Sequence, residues 1–242
     1  MDRVGNVLAL IILSLVIIQR SDAVQYKVVN NVTNVLYGDL IILGVGGVEF
    51  SKKTMKSATD FVLRTLRETK SEDLRKDVPR VIGLFFQDMD GSAATTLQDG
   101  IHMSVGYIAR YLSSDVRKEF VGVILHEMTH VWQWFGDDRT PVGLTEGIAD
   151  YVRLRAGYAR IDWVKPGEGD RWDQGYDVTA RFLDYCEGLK DGFVSEMNKR
   201  LKTFYKDEYF IEILGKDVHR LWREYKAKYN STRNHRRPSN RP

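Results

Sequence analysis

A chain of 242 residues, 43% of them hydrophobic, is long enough to bury one substantial core. Its single cysteine, Cys186, excludes an internal disulfide, so that core must supply the stability. The net charge of +3 and the pI near 8.8 come from the C-terminal end, where residues 225–242 hold two Lys and four Arg and no acid. Residues 230–242 place no Phe, Trp or Tyr among those bases, which does not suit stacking on nucleic acid.

Residues 1–23 contain Arg3, an apolar run over positions 7–18, and the small residues Ser21 and Ala23 where a signal peptidase reads the chain. They predict a cleaved secretory signal. The run is too short to span a bilayer, and no later stretch approaches the ~20 apolar residues a span needs. Secretion brings two N-glycosylation sequons into view, Asn31-Val-Thr and Asn230-Ser-Thr. Residues 24–34, VQYKVVNNVTN, read as a strand and a turn. Gly44, Gly46 and Gly47 follow without the Lys of a phosphate loop and predict a turn. Residues 51–70 predict an amphipathic helix, with Met55, Ala58, Val62 and Leu66 on one side and Lys52, Lys53, Lys56, Arg64 and Arg67 on a solvated face.

Residues 80–87, RVIGLFFQ, are too apolar for an exposed strand and suit the middle of a sheet. Asp88-Met-Asp-Gly91 lacks the remaining oxygen ligands of a calcium loop and reads as a turn. The alternation in residues 101–111, IHMSVGYIARY, predicts one strand, on which His102 is a candidate substrate contact. Ser113, Ser114 and Asp115 then supply a helix start.

Residues 121–136, VGVILHEMTHVWQWFG, predict a helix with Val121, Leu125, Met128, Trp132 and Phe135 on one apolar stripe. His126 and His130 are four apart on the opposite side, one turn from each other, so two imidazole nitrogens can converge on one point. Glu127 sits beside that point. This is HExxH, two metal ligands with a carboxylate in reach of a water. Thr140 and Pro141 open a second helix, on which Glu146 and Asp150 again share a face. On spacing alone either carboxylate could complete a zinc site.

Residues 157–175, GYARIDWVKPGEGDRWDQG, predict a long ordered loop with Trp163 and Trp172 packed beneath it and a wall of the cleft. Arg171 and Tyr176 are candidates there to stabilise an oxyanion. The last third predicts helices over residues 178–189, 192–203 and 216–229. Cys186 falls among Phe182, Leu183 and Leu189 at helical spacing, a buried inert thiol, and His219 is solvated. Residues 230–242 predict a disordered basic tail, either a simple solubilising end or a contact for an acidic wall polysaccharide or phospholipid surface.

HEMTHVWQW, EGIADYVRLRAG and WVKPGEGDRWDQGYDVTARFLDYC together resemble the plant basic secretory proteins, which are also grouped with the pathogenesis-related proteins. That family is similar to the gluzincin zinc metallopeptidases, with HExxH on one helix and ExxxD on the next. The resemblance covers residues 24–229. It implies Zn2+ on His126, His130 and Glu146, with Glu127 as the catalytic carboxylate and Asp150 orienting His126. It also places the strand of residues 101–111 along the cleft, paired with an extended peptide. The expected fold is α+β, a zincin-like single domain over residues 24–229 with a small mixed sheet before the HExxH helix and a mainly helical C-terminal half. The expected function is a secreted zinc metallopeptidase of plant defence, acting on peptides or proteins in the apoplast. A non-catalytic defence or wall-binding protein with a structural zinc is the alternative, and a zinc hydrolase of another amide or ester would use the same residues.

Overall fold

The computed structural model describes residues 24–68 and 70–235, with residues 230–235 described by backbone alone. The signal sequence, the Asn230 side chain and residues 236–242 of the tail lie outside the described residues. The described part is α+β: four strands form one small mixed sheet, and helices dominate after it. None of its helices is long and apolar enough to cross a membrane. Contacts divide it into two compact units, one made of the residues up to Gln133 with Arg155–Tyr158, the other of Trp134–Leu154 with the residues from Ala159 onward.

In the first unit, β1 (Gln25–Asn31) leads into two helices, α1 (Val35–Val45) and α2 (Gly47–Thr65). Helix α1 was not anticipated, because VLYGDLIILGV is apolar all round and has no helical stripe to read. Two local features make it. Asn34 caps it by accepting from the Tyr37 amide at 3.2 Å, and Gly38 lets the Asn30 side chain lie against it, where a Cβ would sit 2.1 Å from Asn30 Oδ1. The expected turn at the glycines is real but confined to Gly46 and Gly47, whose φ values of 124° and 86° separate the helices. Leu36, Leu40 and Leu43 of α1 face outward.

The sheet runs β1, β2 (Val81–Gln87), β4 (Gly100–Ser104), β3 (Ala94–Leu97). The pairs β1/β2 and β2/β4 are parallel, and β3 is antiparallel to β4 with Thr96 opposite Ile101. Strand β2 is central, as its apolar run predicted, and Ile82, Leu84 and Phe86 are fully buried. Residues 101–111 are not one strand. The chain turns helical at α3 (Val105–Ala109), where the Ser104 hydroxyl accepts from the Tyr107 amide at 3.1 Å. Nor is β4 an edge, since β2 and β3 flank it on both sides; the open antiparallel edge belongs to β3.

Helix α4 (Val116–Trp132) begins at Asp115, whose carboxylate accepts from the Lys118 amide at 3.2 Å. It is buried around most of its circumference, on Val123, Ile124 and Leu125 as well as Met128 and Trp132. The helix therefore passes through a core, and it ends three residues before Phe135. Its C-terminal turn is tied down by the Trp132 indole, which donates to Thr59 at 3.3 Å, an oxygen that also accepts from Tyr26.

The second unit is helical. Helices α5 (Val142–Arg155), α6 (Tyr176–Leu189), α7 (Phe193–Arg200), α8 (Glu208–Leu214) and α9 (Val218–His235) follow in order. Only α8 was not anticipated, and α9 continues six residues past the Tyr229 boundary into the segment expected to be disordered. Phe182 is the centre of an aromatic cluster with Trp172, Phe210, Trp222 and Tyr225. Cys186 is fully buried beside it, and burial pushes its thiol pKa up, as suits an inert side chain. Residues 157–175 are irregular but ordered by their own bonds: the Asp177 carboxylate accepts from the Val164 amide at 2.7 Å, and the Thr179 hydroxyl donates to the Trp172 carbonyl at 2.7 Å.

Candidate metal centre

The centre is built on one turn of α4. His126 and His130 point their Nε2 atoms at each other 3.1 Å apart, with the ring planes at 86°. Two neutral imidazoles can share one proton at that distance, and a divalent cation can take its place by accepting both lone pairs. His126 is 9% exposed and Glu127 5%, so both are largely out of water. Glu127 is held from the side: the Thr96 hydroxyl of β3 donates to its Oε2 at 2.7 Å and lies 3.0 Å from its backbone carbonyl. Thr96 escaped sequence reading because SAATTL carries little apolar signal for a strand, and a Thr has no chemistry of its own to flag.

Gln133 is the second residue that sequence reading missed. It forms the C-cap of α4, is fully buried, and has its side-chain Nε2 placed 2.9 Å from Nδ1 of His130. Its backbone is pinned by Arg75, whose guanidinium donates to the Gln133 carbonyl at 3.2 Å and reaches the His130 carbonyl at 3.4 Å. Arg75 is itself gripped by Asp77, and that guanidinium holds the Asp77 carboxyl below its usual pKa.

Helix α5 supplies the carboxylates. Its first bonds run to the Pro141 carbonyl from the Leu144 and Thr145 amides, while the Thr140 hydroxyl donates to Phe135. Two glycines let its neighbours approach closely: a Cβ on Gly143 would sit 1.8 Å from the Asp173 carbonyl oxygen, and one on Gly147 2.3 Å from Thr179 Cγ2. Asp150 is buried at 4% exposure, and Glu146 is half-buried. Among the described residues, His126, His130 and Glu146 form a group able to hold a metal ion, with one ligand atom from each lying within 4.8 Å of the others. Two imidazoles and a carboxylate leave a fourth position for water or substrate, which fits a hydrolytic metal ion.

The remaining candidates differ. His102 stacks on Phe85 at 4.6 Å and has both ring nitrogens engaged, Nδ1 with Gln87 and Nε2 with Asp99, each at 2.9 Å. The bond from His102 lowers the Asp99 carboxyl pKa. Arg171 is paired with Asp173 at 3.0 Å and largely exposed. Tyr176 is exposed at the first residue of α6, in a left-handed conformation with φ 47°. Asn31 is exposed at the end of β1, where a glycan could attach.

No solved structure matches the chain. A 58-residue stretch is 47% identical to a basic secretory protease of Boswellia serrata, covering 24% of this chain and 66% of that relative, a little under two thirds of its length. The pattern of the BSP family, described as a peptidase of plants and bacteria, matches residues 21–225. With nearly all of the described chain inside that match, the protein belongs to the BSP peptidase family.

Proposed function

We propose that the protein is a secreted zinc-dependent metallopeptidase that hydrolyses peptide bonds, with a role in plant defence. The observation that carries this reading is the convergence of the His126 and His130 Nε2 atoms at 3.1 Å, with the buried Glu127 carboxylate on the same helical turn. His126, His130 and Glu146 are the ligand set, and Asp150 accepts a hydrogen bond from His126. When bound, zinc supplies Lewis acidity, polarising a carbonyl and acidifying water. Glu127 accepts the proton of the attacking water and delivers it to the leaving amine, with Thr96 fixing which carboxylate oxygen stays free to do so. The ring nitrogens of His102 are engaged by Gln87 and Asp99, which leaves Tyr176 and Arg171 as the side chains to test for oxyanion stabilisation. Removal of residues 1–23, a glycan on the exposed Asn31, and contact of the basic C-terminal end with an acidic wall surface complete the reading.

The test is incubation of the mature protein with a diverse peptide library, with and without a chelator. Cleavage that stops on chelation and returns with zinc supports the reading. A metal-loaded protein that cleaves nothing would leave a structural zinc in a non-catalytic defence protein.

A further inference from the structure

We infer that Gln133 is the positioning residue for His130: its side-chain oxygen accepts the Nδ1 proton of that ring and fixes the tautomer that can bind a metal. This rests on the metal-site reading above. If His130 gives its Nε2 lone pair to a cation, the ring's single proton must reside on Nδ1, and a buried N–H needs an acceptor. A group in contact with Nδ1 is the fully buried Gln133 side-chain amide, whose nitrogen end, Nε2, is placed 2.9 Å away. An amide presents oxygen or nitrogen at the same place after a half-turn about its last bond, and the hydrogen-bonding partner decides which end faces it. Facing the ring with nitrogen, Gln133 would force Nδ1 to accept and so place the proton on Nε2, where it blocks a cation. Facing it with oxygen, the same contact frees Nε2.

The position of Gln133 is fixed by more than the contact itself. It lies three residues after His130 at the C-cap, where its extended backbone (φ −69°, ψ 157°) lets the side chain fold back one turn. Its amide nitrogen donates to the Thr129 carbonyl at 2.7 Å, and its carbonyl is held by Arg75, which Asp77 in turn holds. These backbone and side-chain partners lie within the unit that carries both histidines. A buried Gln is also suited to the task chemically, because it accepts a hydrogen bond without adding a charge beside the cation's ligands.

The inference is tested first without metal. Two-bond nitrogen–proton correlation of the histidine rings in the metal-free wild-type protein should find His130 protonated on Nδ1. Gln133→Leu, which removes the acceptor at similar size, should move the proton toward Nε2; Gln133→Glu, which keeps an acceptor oxygen, should leave it on Nδ1. Zinc affinity by chelator competition should fall about 10–100-fold in Gln133→Leu, the usual range for losing an orienting group, and should not fall in Gln133→Glu. A merely structural role would weaken both variants together. Wild-type His130 protonated on Nε2, or Gln133→Leu binding zinc as tightly as wild type, overturns the inference. The tautomer measurement needs no variant to fold. Should the wild-type protein take up no zinc, the metal-site reading fails, and the tautomer still decides what Gln133 does.

Discussion

The narrowest questions concern single carboxylates. Glu127 is buried, adjacent to a candidate ligand and bonded through one oxygen, so Glu127→Gln preserves shape and the Thr96 contact while removing the ability to take a proton. The variant is expected to bind zinc like wild type and to lose about 10²–10⁴-fold in kcat, the scale of general acid–base catalysis. Metal content and turnover on the same sample check this, and near-normal turnover in a loaded variant would rule out the mechanism. Glu146 and Asp150 are the pair that spacing could not separate. The three-residue group that could hold a metal ion contains Glu146 and not Asp150, while Asp150 is the more buried of the two. Zinc affinity should therefore fall further in Glu146→Ala than in Asp150→Asn, where the loss should stay within about 10–100-fold. The reverse order would exchange their roles.

At the level of elements, HExxH and EGIAD were legible because their chemistry is carried by residue type and by a one-turn spacing that any helix delivers. What surrounds them was not. The edge strand β3 is only four residues, three of them small or hydroxyl side chains, and β4 looked longer than it is because IHMSVGYIARY keeps alternating after Ser104 has already capped a helix. Helix α1 was hidden by uniform apolarity, the opposite failure. Two tests follow at this scale. Thr96→Val removes from β3 the hydroxyl on Glu127 but keeps the shape, so kcat should drop about tenfold, the worth of a hydrogen bond to a charged group, while KM and thermal stability change little. Thr96→Ser should recover activity; equal losses in both variants would assign Thr96 to packing alone. The glycines of α5 belong to its close approach to neighbouring backbone and side chains. Gly147→Ala places a Cβ 2.3 Å from Thr179 Cγ2 and should cost about 1–3 kcal/mol by overpacking, read as a lower midpoint in denaturant. An unchanged midpoint would mean that α5 shifts freely to make room.

For the whole molecule, stability must come from packing and from whatever the centre binds, because the only cysteine is alone and buried. Disulfides stabilise many proteins of modest size, and this chain cannot form an internal one. Each described unit has its own core: Ile82, Phe86, Phe120 and Trp132 in the first, and the aromatic cluster around Phe182 in the second. A cation bound only by the folded chain adds RT ln(1 + [L]/Kd), about 4 kcal/mol when the free metal is a thousandfold above Kd. Two perturbations should therefore act very differently on the melting temperature. A reductant should leave it unchanged, whereas a chelator should lower it by several degrees and added zinc should restore it. Glu127→Gln, which keeps every ligand, should show the same metal-dependent shift without turnover, so that stabilisation and catalysis are separated in one protein. A melting temperature insensitive to chelator in a protein shown to contain zinc would mean that the ion contributes nothing to folding and is held for chemistry alone.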